Sequence, residues 1–165
     1  MKLRFWRNLP LVLVILDQVV KYLVLTHIPL GGYVPFLPHV VCLTYVQNTG
    51  AAFSMFSQHT WILAFISLVM SVVLAVALWK NFFTHPLGKV TLSLLLAGAV
   101  GNLIDRAMRG FVVDMFQLLF MNFAVFNVAD ICVVVGGIAA AAYYLLLADK
   151  LEHKEAPHGT AAADR

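Results

Sequence analysis

An all-α membrane protein of four transmembrane helices, carrying a small extracytoplasmic β-sheet element, is the fold class this sequence predicts. Three observations point there. Of the 165 residues, 62% are hydrophobic and only 12% are charged, more apolar surface than a soluble domain of this size keeps from water. The apolar residues lie in long uncharged runs, which marks a membrane chain more reliably than average composition. Finally, the basic residues fall in alternate connections, the asymmetry that orients a chain in a membrane.

Four runs can span. The first extends from about Leu9 to Thr26. The second, Trp61 to Trp79, has no charge and a Trp at each end, where aromatic belts sit. The third, Val90 to about Ile104, is short and meets Asp105 and Arg106, so it is expected to rely on Arg106 reaching the interface. The fourth runs from about Val128 to Ala148. Each approaches the ~20 residues needed for a ~30 Å hydrocarbon core. Gly98 and Gly101 in the third run, with Gly136, Gly137 and the alanines at 139–142 in the fourth, allow close helix contact. Residues 1–150 form one membrane domain, and 151–165 read as a disordered cytoplasmic tail.

Lys2, Arg4 and Arg7, then Lys80 and Lys89, then Lys150 and Lys154 share one side of a four-span chain. The positive-inside rule makes that side the cytoplasm and places both termini there. The basic start resembles a signal peptide, but Asp17, Gln18 and Lys21 interrupt the apolar stretch and no A-x-A site follows directly, so the stretch is expected to stay as the first span. The net charge of +3 comes from termini and loops, a sign of topology and not of nucleic-acid binding. Cys42, in a loop, and Cys132, in a helix, suggest neither a disulfide framework nor a zinc pair. The connection from His27 to Thr60 has no Lys, Arg, Asp or Glu, as expected outside. Within it His39–Gln47, rich in β-branched and aromatic residues after Pro35 and Pro38, predicts a short strand. Ala51–Phe56 predicts an interfacial segment.

Charges inside a bilayer are costly and are functional by default. Asp17, Lys21, Asp105 and Asp130 lie in or at the ends of spans. At 1.5 Å per residue, Asp17 is roughly 15 Å beyond Arg7, Asp105 roughly 24 Å beyond Lys89, and Asp130 roughly 28 Å from Asp149. All three carboxylates therefore fall between the midplane and the outer interface. Asp114, on the outer loop, can join them, with Asn48, Asn102 and Asn127 as polar companions. Simpler readings stay open for each. Asp17 and Lys21, four residues apart, can neutralise one another. Asn127 with Asp130 can be a helix cap. Asp105 and Arg106 can be an interfacial pair. None of these explains why so many polar groups gather on one side.

Other chemistries fit poorly. There is no H-E-x-x-H, and the six His are scattered. Ser54, Ser57, Ser67, Ser71 and Ser93 lack a G-x-S-x-G setting and a base at their depth. Two nearby carboxylates, however, can share one proton, one acting as base on water while the other polarises a carbonyl. That scheme calls for no metal and no cofactor. Arg106, beside Asn102 and Asp105, is expected to hold carboxylates through charge-assisted hydrogen bonds. The rival classes are a proton-coupled membrane carrier, opposed by the lack of a visible inverted repeat, and a non-catalytic scaffold, which would not need outer-side acids on separate elements.

Five blocks in order carry a resemblance: Asp17-Gln18-Val19-Val20-Lys21, Asn48-Thr49-Gly50-Ala51-Ala52-Phe53, Gly101-Asn102-Leu103-Ile104-Asp105-Arg106, Val112-Val113-Asp114 and Phe126-Asn127-Val128-Ala129-Asp130. Over roughly residues 10–148 the chain resembles the prolipoprotein signal peptidases, or signal peptidase II. The resemblance implies an aspartic endopeptidase of the bacterial cytoplasmic (inner) membrane. Such an enzyme removes the signal peptide from lipidated prolipoproteins, cutting before a diacylglyceryl-modified Cys near the outer leaflet. Its catalytic pair falls on Asp114 and Asp130. Asp17, Lys21, Asn48, Gly50, Asn102, Asp105, Arg106 and Asn127 match its supporting residues. Substrates and membrane lipids are the implied partners, and a monomer is expected. Met115, where an aromatic often follows the Asp, is a departure expected to concern packing on the lipid side.

Overall fold

A computed structural model of the chain describes residues 2–50 and 60–148. The expected interfacial segment Ala51–Phe56 and the expected tail lie outside the described residues. Among the described residues four helices are long and apolar enough to cross a membrane: α1 (Lys2–His27), α2 (Thr60–Trp79), α3 (Pro86–Arg109) and α4 (Val128–Tyr143), the last continuing as a π-helical turn, Tyr144–Ala148. Three strands, β1 (Tyr33–Leu37), β2 (Val41–Asn48) and β3 (Val112–Leu118), form one antiparallel sheet in that order.

The helix α3 is central and packs on α1, α2 and α4. It is longer than its apolar run. Pro86 starts it, with the His85 ring accepting the Leu87 N–H as N-cap, and Gly110 ends it at φ 77°, its N–H donating to the Arg106 carbonyl. Pro at the first turn and a left-handed Gly after the last are the usual stops. The expected short span is thus corrected to 24 residues, with Asp105 and Arg106 inside it. Charge did not end the helix because α1 supplies a partner for it. Close approach to α4 depends on Gly98, where a Cβ would sit 2.5 Å from the Ala129 carbonyl oxygen. The outward faces are apolar, including Leu11 and Ile15 of α1, Phe65 and Val72 of α2, and Val134 and Ile138 of α4. Without water to bond, a helix facing lipid must satisfy its backbone internally and show only such side chains.

The expected strand appears as β2. Its register runs Tyr33↔Thr44 to β1 and Gln47↔Val113 and Asn48↔Val112 to β3, with a shift between Leu43 and Val46 that brings Val46 opposite Asp114. Two expectations are corrected here. Cys42 is a fully buried strand residue, not a loop residue, and Asp114 lies within β3, not on a loop. The strand escapes a period-2 search because both its faces are covered: Val112, Val113, Asp114 and Met115 are all buried. Met115 packs with Val113, Tyr45, Val24 and Ile28 in the core that seats the sheet on α1, so it is not a lipid-side residue.

Candidate active site

The site lies where the C-terminal parts of α1 and α3 and the first turn of α4 meet the sheet. Lys21 and Asp17, one turn apart on α1, are paired at 2.9 Å and fully buried. Mutual neutralisation is therefore real, but each has further work. Asp17 Oδ1 accepts the Ala129 N–H at 2.9 Å, an acid against the open N-terminus of α4. Lys21 Nζ also reaches Asp105 at 3.1 Å and donates to Asn102 Oδ1 at 3.1 Å. Asp105 is completely buried and takes Lys21, Arg109 and Gln18 as partners. Its Oδ2 accepts the Val113 N–H at 3.0 Å, which ties β3 to α3 one residue before Asp114. A buried acid needs such pairing, because removing it from water costs several kcal/mol.

Asp114 is 1% exposed. Its oxygens accept from Asn127 Nδ2 at 2.6 Å and Asn48 Nδ2 at 2.9 Å. Asp130 Oδ1 accepts from Asn102 Nδ2 at 2.8 Å and Oδ2 from the Asn127 N–H at 3.2 Å. Asn127 Oδ1 in turn accepts the Asp130 N–H, so the cap reading also holds: Asn127 and Asp130 form a reciprocal capping box. Gly50 N–H closes the shell on Asn48 Oδ1. Arg106 departs from expectation. Its hydrogen bond goes to the Gly50 carbonyl at 3.3 Å, while Lys21 and Arg109 hold the Asp105 carboxylate. Arg109 was not among the residues expected from sequence, although its signal, four residues after Asp105, was present.

Asp114, Asp130, Asn48, Asn102 and Arg106 line one end of a cavity of about 450 Å³, and Leu118, Phe123, Ile131 and Val134 continue it as an apolar wall. Burial first, then the neighbouring Asp130, pushes the Asp114 carboxyl from its usual 3.8 up to about 6, against the pull of the Asn48 and Asn127 amides and of Lys21. Folded Asp114 thus keeps a proton that the unfolded chain has released. With a folded pKa above the unfolded one, stability falls as pH rises from about 4 to about 6 and levels off beyond. Thermal unfolding in detergent across that window is expected to show this slope in the wild type and to lose it in Asp114→Asn. Equal slopes would contradict the placement of the proton. Among the described residues no three His, Cys, Asp or Glu side chains form a metal-ligand group.

Known proteins resemble this chain in sequence and fold. Residues 9–146 match the family described as Signal peptidase (SPase) II. The lipoprotein signal peptidase of Enterococcus faecalis is 45% identical over 148 residues, covering 90% of this chain and 91% of that one. That of Streptococcus pneumoniae is 46% identical over 132 residues, covering 76% and 82%. A solved bacterial membrane enzyme superposes with a TM-score of 0.81 at 30% identity, covering 94% of both chains. A four-span chain with a buried carboxylate cluster at one end of its helices, matched by family over nearly all its helical length, belongs to the signal peptidase II family of membrane peptidases.

Proposed function

We propose that Asp114 and Asp130 are the catalytic pair and that this chain cuts the signal peptide from diacylglyceryl-modified prolipoproteins at the outer face of the bacterial cytoplasmic membrane. One observation carries the reading. Two carboxylates from separate elements share one cavity wall, and each of their four oxygens accepts an N–H. A water held between them loses a proton to one carboxylate and attacks the scissile carbonyl carbon. The other, protonated, donates to the carbonyl oxygen. The proton taken from water then passes to the leaving nitrogen, and the C–N bond breaks. The apolar wall along α4 suits a substrate whose acyl chains stay in the outer leaflet. Purified protein in detergent is expected to release the signal peptide from a diacylglyceryl-modified precursor. No cleavage of that precursor would overturn the assignment.

The reading also requires the sheet outside and the α2–α3 turn inside. In a Cys-free background, an impermeant thiol reagent is expected to label Cys introduced at positions 35 and 58 of intact cells but not at 84 and 155. Labelling of position 84 from outside would invert the topology.

A further inference from the structure

Three amides face the carboxylate pair, and the carbonyl end of each meets a group that can only donate. The Gly50 N–H donates to Asn48 Oδ1 at 2.9 Å, the Asp130 N–H to Asn127 Oδ1 at 2.9 Å, and Lys21 Nζ to Asn102 Oδ1 at 3.1 Å. A backbone N–H and an ammonium have no acceptor to offer. Each amide oxygen is therefore turned away from the pair and each NH2 toward it. Two of these locks are backbone. The third is a charged side chain, fully buried on another helix. Asn127 Nδ2 gives one of its two N–H groups to Asp114 and the other to Asn102 Oδ1, at 3.2 Å, a longer and neutral contact beside the Lys21 ammonium.

We infer that Lys21 is a positioning residue for peptide cleavage: with the Asn127 amide it anchors the Asn102 carbonyl oxygen, and as the charged donor it keeps the Asn102 NH2 turned toward Asp130 so that this carboxylate stays a hydrogen-bond acceptor. The inference rests on the Asp114–Asp130 reading. Without the ammonium only the neutral Asn127 contact resists a turn of this amide; once turned, it would offer Asp130 its oxygen, and a carboxylate facing an acceptor gains by taking a proton. The base would then be lost at a higher pH than in the wild type. The ionisable groups around this point are Asp17 and Lys21 from α1, Asp105 and Arg106 from α3 with Arg109 behind Asp105, Asp114 from β3, and Cys132 beside Asp130 on α4. β2 faces it with Asn48.

Removing Lys21 alone would strand Asp17, so the test uses the charge-balanced chain Lys21→Met with Asp17→Asn. The amide that replaces the carboxylate at position 17 can still accept the Ala129 N–H, and Asp105 keeps Arg109. Cleavage of a diacylglyceryl-modified precursor is followed against pH. The expected result is a kcat lowered about tenfold with KM unchanged and the acidic limb of kcat/KM moved up by about one pH unit. A folded variant with reduced thermal stability but an unmoved limb would show that Lys21 only holds helices together, and would overturn the inference. If that chain does not accumulate, Lys21→Gln on the Asp17→Asn background keeps a polar contact but a neutral one. The limb is then expected to move in the same direction by a smaller amount, and no movement would again overturn it. Asp130→Asn is measured alongside. Normal cleavage by that variant would sink the catalytic pair itself, whereas an inactive Asp130→Asn with an unmoved Lys21 limb would remove only the role of Lys21.

Discussion

Asp114→Asn and Asp130→Asn are each expected to lower cleavage of the lipidated precursor by about 10³-fold or more, since each removes one end of an acid–base pair that typically contributes 10²–10⁴. Both variants should still insert and bind substrate, because Asn differs little in volume. Neither is without cost to stability. The oxygens replaced face Asn48, Asn127 and Asn102 NH2 groups or the Asn127 N–H, so an amide at either position turns one donor against another. A buried donor left unsatisfied costs roughly 1–3 kcal/mol. The capping box gives Asp130 a second role, and if capping were its whole role the result would differ. Asp130→Asn would then lose about 1 kcal/mol of stability and keep its turnover. Initial rate and thermal midpoint, measured on the same preparations, separate these outcomes.

Asp105→Ala is expected to be the most damaging substitution for folding. Asp105 is fully buried and accepts from Lys21, Arg109, Gln18 and the Val113 N–H. Truncating one member of a buried charge network costs roughly 3–5 kcal/mol, because the opposite charges stay behind without it. The loss also releases β3 from α3 next to Asp114, so any folded fraction should cleave slowly. The expected observation is a sharply lower yield of folded protein in detergent and a depressed thermal midpoint. A midpoint close to that of the wild type would show that Lys21 and Arg109 find other partners, and that the tie to Val113 is dispensable.

The four spans were legible because a bilayer demands length and hydropathy from each segment separately, without reference to its neighbours. The carboxylate cluster was legible for a related reason. Asp17, Asp105 and Asp130 stand out against apolar runs, and counting 1.5 Å per residue placed all three between the midplane and the outer interface. What the sequence concealed depends on partners distant along the chain. The strand β3 has no polar–apolar alternation because α1 covers one face and the site the other. The third helix outran its apolar stretch because Lys21, 84 residues earlier, compensates Asp105. The same distance hid the division of labour between neighbouring arginines. Arg106 turns to the Gly50 carbonyl and the cavity, while Arg109 pairs with Asp105. Spacing on one helix brings Arg109, and not the adjacent Arg106, to the Asp105 carboxylate, but that Arg106 meets the Gly50 carbonyl follows only from the packed arrangement.

Whether Asp114 and Asp130 work as one unit is tested most directly by combining the two substitutions. Residues that serve a single step fail together, so the second loss should add almost nothing to the first. The rate of precursor cleavage is to be measured in detergent for the wild type, Asp114→Asn, Asp130→Asn and the double variant, at one pH and saturating substrate. The expected result is a double variant no slower than the slower single variant, within a few-fold. A double variant slowed by the product of the two single effects would mean that the carboxylates act independently, and would contradict a shared catalytic pair.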